Sequence, residues 1–137
     1  MRTLRRIIVH HSGGPRSQSF EEIRNYHMRP KADGGRGFAD IAYHHVITED
    51  GETHAGRPLD VIGAHDLGEN DESAGVLVTG DNTKPAEAWN WRQKAALIDY
   101  VRAMRLLFGP LEVEGHGDRE PPETPTACPG CDVRGIV

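Results

Sequence analysis

Cysteine is scarce in this 137-residue chain: there are two, Cys128 and Cys131, close together near the C-terminus. Two cysteines do not make a disulfide framework, which excludes the stapled secreted mini-domains. Aromatic residues make up only 6%, and apolar residues reach 36% against 27% charged. That is lean but above the disordered regime, so one modest core is expected. No apolar run approaches the roughly 20 residues that a membrane-spanning helix needs. Behind the basic start the apolar run is only Ile7-Ile8-Val9. An export signal needs a core of about 7–15 residues, so cytoplasmic synthesis is expected. Positive charge is not in excess either: the net charge is −5, whereas a duplex-binding surface shows a basic excess. Neither a nucleic-acid nor a membrane partner is expected. Residues 1–36 carry eight Lys/Arg against three Asp/Glu, and the remainder eight against eighteen. This reads as two differently charged faces of one domain, 1–137.

Histidine, by contrast, is abundant, with eight residues that cluster along the chain. Arg5 to His11 reads as a buried central strand that Ser12-Gly13-Gly14-Pro15 stops. Ser19 with Glu22 forms a capping box for a helix from Phe20 to about Met28, and Pro30 ends it. Residues 31–40 are glycine-rich without a phosphate-loop ending, and read as a mobile loop. Ile41 to Thr48 alternates as a second strand, in which Tyr43 and His45 share a face. A hairpin turn at Asp50-Gly51 leads to a return strand beginning at Thr53. Ala74 to Thr79 is a further strand. Asn90 with Gln93 caps a helix over about 91–108, with Leu97, Val101, Met104 and Phe108 on one face. Leu111-Glu112-Val113 is a short last strand, and the chain is loop-like from Gly115 onward. Strands and helices thus mix in one layered unit of α/β or α+β class, with a mixed sheet.

Three groups could carry chemistry: His10 with His11 at a strand end, Tyr43 with His44 and His45, and His116 with Cys128. Strand ends are rigid enough to hold metal ligands. Two histidines and one thiolate make a set that suits zinc, with a fourth position left for water or substrate. Other readings of the same residues stand beside this one. A core histidine is commonly a hydrogen-bonded filler. Cys128-Pro-Gly-Cys131 could be half of a zinc knuckle, or a redox pair, although no second cysteine pair and no thioredoxin-like unit accompany it.

Taken in order, the motifs are more specific. Ile8-Val9-His10-His11-Ser12 resembles the opening strand of the type 2 N-acetylmuramoyl-L-alanine amidases, a family that includes the animal peptidoglycan recognition proteins. Ala42-Tyr43-His44, Asp50-Gly51 with Ala55-Gly56-Arg57, and Gly63-Ala64-His65 are similar to its next segments. So are Asn70-x-x-Ser73-x-Gly75-Val76 and Gly115-His116-x-Asp118 with Thr126-x-Cys128-Pro129-Gly130. The resemblance covers about residues 7–131. It implies an α/β fold with a central mixed β-sheet flanked by helices, and one Zn2+ per chain on His10, His116 and Cys128. It further implies Tyr43 and Thr126 as catalytic residues, and His65 and Arg57 near the substrate groove.

The implied activity is hydrolysis of the amide between N-acetylmuramic acid and L-alanine in peptidoglycan. An endolysin that is made in the cytoplasm and acts on the wall after release fits best. A cytosolic amidase that recycles anhydro-muropeptides and a non-catalytic peptidoglycan-binding protein are the rivals. Thr126 stands where phage relatives often carry lysine, so it lacks the positive charge that lysine would supply. The segment from His116 to Cys128, with Pro121-Pro122, is longer than in most relatives, and no long closing helix is expected. Cys131 is either a spare thiol or a fourth ligand. If the metal reading holds, a chelator stops wall lysis and added zinc restores it, which turbidity of a peptidoglycan suspension measures.

Overall fold

The computed structural model describes residues 1–119 and 126–137. Five strands, β1 (Arg6–His11), β2 (His45–Ile47), β3 (Thr53–Ala55), β4 (Ser73–Val78) and β5 (Glu112–Gly115), form one sheet in the order β3-β2-β4-β1-β5. β1 runs parallel to β4 and β5, and β2 parallel to β4, while β3 returns antiparallel to β2. The expected α/β class with a central mixed sheet is what the molecule has. β1 and β4 are central because their alternating residues are apolar on both faces, as strands covered on both sides require.

Helix α2 (Trp91–Phe108) covers one face of the sheet. Ile7, Val9, Ala74, Val76, Val78, Ile47 and Val113 meet Leu97, Tyr100, Val101 and Met104 there. The Asn90/Gln93 capping box forms at both of its contacts. Gln93 is fully buried, and its Nε2 donates to Thr79 O at 2.8 Å, which ties the helix start to the end of β4. The opposite face is covered only in part, by helix α1 (Phe20–Met28), whose Ile23 packs with Ile41, Val46 and Leu77. The uncovered remainder of that face holds His10, His44 and His65.

Several local expectations change. The second strand is only His45–Ile47, because residues 41–44 bend before it. The side-chain alternation breaks at that bend. Tyr43 points to the α1 face, 5.1 Å from the His10 ring, while His45 lies under α2, its Nδ1 3.0 Å from Tyr100 Oη. Residues 31–40 are not a mobile loop. Arg36 N, Gly37 N and Phe38 N donate to Tyr26 O, Arg29 O and His27 O at the end of α1. A helix end leaves its last four carbonyls unpaired, and this segment satisfies two of them, Tyr26 O and His27 O, together with the cap carbonyl Arg29 O. At Gly35 a Cβ would collide with the Arg29 backbone, so only glycine fits. Of the α1 capping box only the Ser19 half forms, accepting from Glu22 N. After β5 the chain is not wholly loop: α3 (His116–Arg119) is one short helical turn, and Val133–Gly135 another turn. Pro121-Pro122 lie outside the described residues.

Replacing Gln93 with Leu should lower stability by about 1–3 kcal/mol. It fills the same space but leaves Thr79 O without its buried donor. The urea midpoint relative to the unmodified chain measures this.

Candidate active site

The site grows from the alternation of β1. His10 and Ile8 point to the α1 face, and His11 to the other, where its Nδ1 accepts from Asn82 N at 3.2 Å. The parallel pairing of β5 with β1 sets Gly115 beside Val9. His116, the next residue, therefore emerges beside His10, with ring centroids 4.6 Å apart. Gly115 N donates to Asp118 Oδ2 at 2.9 Å and Gly117 N to Cys128 O at 2.6 Å, which folds residue 128 back over the strand end. Cys128 Sγ accepts from His11 N at 3.3 Å. As a result one ligand atom each from His10, His116 and Cys128 lie within 4.8 Å of one another. Cys131 stands outside this group; it is exposed, with its Sγ 3.5 Å from Asn82 Nδ2.

This donor set fits a zinc ion chemically. A ligand histidine must be neutral. Burial, and next the neighbouring His65 and His116, hold His10 well below its ordinary range. Burial pushes the Cys128 thiol up to about 12. A thiolate there at neutral pH needs a cation beside it, and the donated N–H of His11 favours the same form. Nitrogen, nitrogen and sulfur donors are those that zinc prefers.

Around the three, Tyr43 is half-buried, 5.1 Å from the His10 ring and 5.6 Å from the His27 ring. Burial raises its phenol above the ordinary range, so it stays protonated. Thr126 is exposed and its Oγ1 accepts from Cys128 N at 3.2 Å, leaving its own proton free to be donated. Arg57 does not reach into the groove with its charge: its guanidinium donates to Ile41 O at 2.7 Å and Ile62 O at 2.9 Å. His65 is 7% exposed, with Nδ1 3.0 Å from His10 Nε2 and Nε2 3.3 Å from Ser73 Oγ. Beside Tyr43 a cavity of about 320 Å³ runs along α1, lined by Ser12, Gln18, Glu22, Tyr26, His27, Arg36 and Leu77.

Sequence reasoning missed several members of this neighbourhood. Asn70 Oδ1 accepts from both His65 N and Asp66 N. The buried Asp66 sets an oxygen 3.7 Å from His116 Nε2. Asp66 lies in a stretch without period and outside the quoted motifs, and the motif that contains Asn70 does not say what its side chain holds. Arg36 reaches the cavity because the glycines around it seat its loop on α1. That could have been read only by asking what satisfies the end of the helix.

Residues 1–131 match the family model described as N-acetylmuramoyl-L-alanine amidase. The chain belongs to that family. Among curated proteins it is 33% identical over 116 residues to the endolysin of Enterobacteria phage K11, covering 82% of this chain and 70% of the relative. It is 29% identical over 137 residues to the endolysin of Enterobacteria phage T3, covering 96% and 84%. Among solved structures, the Ph2119 endolysin from the Thermus scotoductus MAT2119 bacteriophage superposes with a TM-score of 0.84 at 27% identity. That superposition covers 99% of this chain and 83% of the other. Drosophila PGRP-LB gives 0.78 at 25% identity, covering 97% and 78%. In this amidase no helix among the described residues is long and apolar enough to cross a membrane.

The buried histidines also set a pH dependence. Burial, the leading cause at each, lowers His27 and His44 from 6.5 to about 4, and His65 to about 3. Below pH 6.5 the unfolded chain therefore binds protons that the folded chain refuses. Stability is full above about pH 6.5 and falls as pH drops toward 4. The urea midpoint measured from pH 8 to pH 4 should decline through that window, and a flat profile would contradict the assignment.

Proposed function

We propose that this amidase is a zinc enzyme that hydrolyses the amide between N-acetylmuramic acid and L-alanine of peptidoglycan, and that it acts as a cell-wall-lysing endolysin. The observation that carries the reading is the convergence of His10, His116 and Cys128 within 4.8 Å, beside Tyr43. These three residues would hold one Zn2+, within a single amidase domain spanning 1–137. Family membership and the phage relatives support the substrate and the lytic role. Synthesis in the cytoplasm followed by action on the wall after release agrees with both.

When bound, zinc supplies Lewis-acid polarisation of the amide carbonyl and an acidified water as nucleophile. The chain's own groups do the rest. Tyr43 keeps its proton and donates it as a hydrogen bond to the oxygen that becomes negative during attack, a role in which a phenol of raised pKa is effective and a phenolate base is not required. Thr126, with its Oγ1 lone pair held by Cys128 N, donates its hydroxyl proton from the solvent side. It brings no formal charge, so the oxyanion depends more heavily on the Tyr43 donor than it would beside a lysine. Arg57 shapes the groove by holding residues 41 and 62 together. His65 stands directly behind His10, and the cavity along α1 is of a size to take part of the stem peptide.

Mass analysis of digested peptidoglycan tests the bond: a new free L-alanine amino terminus supports the reading, and new reducing sugar ends refute it. Tyr43→Phe should lower kcat about 10²–10³-fold, the usual cost of one lost oxyanion donor, with zinc content near one per chain. Cys128→Ala should abolish lysis together with zinc binding. Full lysis by that variant would refute the metal reading, whereas wall binding without lysis by the unmodified chain would leave a binding protein.

A further inference from the structure

The residues behind His10 form a hydrogen-bonded chain whose proton positions can be assigned one after another. Ser73 Oγ lies 2.7 Å from Glu69 O and 3.3 Å from His65 Nε2. A carbonyl can only accept, so the shorter contact uses the serine proton. Ser73 Oγ is then left as an acceptor, and His65 Nε2 must carry a proton to donate to it. His65 is buried among imidazoles and beside the cation site, where a second charge on its ring is unfavourable. Its Nδ1 is therefore a bare lone pair. That nitrogen lies 3.0 Å from His10 Nε2, so the proton between them belongs to His10. One neutral imidazole carries one proton, which leaves His10 Nδ1 as a lone pair.

We propose that His65 and Ser73 form a positioning relay that holds His10 as its Nε2–H tautomer, with Nδ1 kept open for the metal. The proposal rests on the reading of His10 as a zinc ligand. The wrong tautomer at His10 would present a proton to the ion in place of a lone pair. Metal-binding histidines are commonly oriented by a carboxylate, carbonyl or water on the second nitrogen. Here a second imidazole takes that place, and a serine hydroxyl sets its polarity.

The packing around His65 supports this assignment. Its ring lies on Gly75 of β4, where a Cβ would come within 2.5 Å of its Cγ and Cδ2. Its backbone N–H, with that of Asp66, is held by Asn70 Oδ1 at 3.0 and 2.9 Å. Arg2 donates to Leu59 O at 2.9 Å and to Asn70 O at 3.1 Å, which pins both ends of the loop that carries it. The ring is thus fixed in plane, depth and orientation by β4 and by the loop that carries it.

The test uses the full-length chain and two variants. His65→Leu removes the acceptor. His65→Asn can place an amide oxygen near the position of Nδ1. Zinc dissociation constants come from competition with a chromophoric chelator. His65→Leu should bind zinc about 10–100-fold more weakly, the usual effect of losing such a partner, and His65→Asn should recover most of that loss. In parallel, ¹⁵N imidazole spectra of the unmodified chain should show the His10 proton on Nε2. Unchanged zinc affinity in His65→Leu, equal losses in both variants, or a His10 proton on Nδ1 would each overturn the relay. If His65→Leu does not fold, the imidazole spectra decide. A failure of the unmodified chain to bind zinc refutes the metal reading instead, and is seen separately.

Discussion

Burying uncharged imidazoles against one another is the constraint on which the rest of this molecule depends. His10, His27, His44 and His65 all lie on or beside one sheet face, and each is largely withdrawn from water. A buried polar ring is tolerated only when its nitrogens are partnered. His27 Nδ1 accepts from Ala42 N, and His44 Nδ1 accepts from Gly75 N while its Nε2 faces Val61 O. Each ring therefore fastens a different segment of chain. The bend at residues 41–44, the start of β4 and the loop at residue 61 are all held through histidine. The same rings that form the floor of the site are the mortar of its walls.

How far this was legible in the sequence depends on the kind of signal. α2 was readable because its cap and its period agree. The buried central strand β1 was readable because Ile7-Ile8-Val9 is apolar on both faces, and Ala74 to Thr79 was readable as a strand by its β-rich composition, though not its parallel pairing. His10 and His11 were separated correctly by simple alternation. The same rule failed at Tyr43 and His45, because it assumes a straight strand and the chain bends at 41–44. The loop at 31–40 was misread for a related reason: its glycines looked like freedom, whereas they permit a close approach to the end of α1. Motif order carried the grouping of His10, His116 and Cys128, which no periodicity could have linked. Asn70 and Ser73 stood together in a motif, but their roles, and Asp66 altogether, were not legible, because those roles lie in atoms that meet only after folding.

The site also shows how a small domain obtains precision without size. Its ligand atoms come from the interior strand β1, from the turn after the edge strand β5 and from a segment twelve residues further on. Pairing of β5 with β1 fixes the first two, and the backbone contact between Gly117 and Cys128 fixes the third. The groups that touch substrate in the proposed reaction stand on less regular chain, at the bend and at residue 126. The groups behind them are tied to strands. Irregular backbone thus faces outward and regular backbone supports it, an arrangement expected where function sits on loops held by a rigid scaffold.

The sheet is also a partition. Every group assigned to chemistry lies on the α1 side or at the strand ends, while the larger apolar cluster lies on the α2 side. Changes on the outward surface of α2, where Leu106 and Leu107 are 88% and 72% exposed, are separated from the chemistry by the sheet. Effects at sites that far apart tend to add independently. The back of this domain is therefore open to redesign, for solubility or heat tolerance, as a region separate from its front.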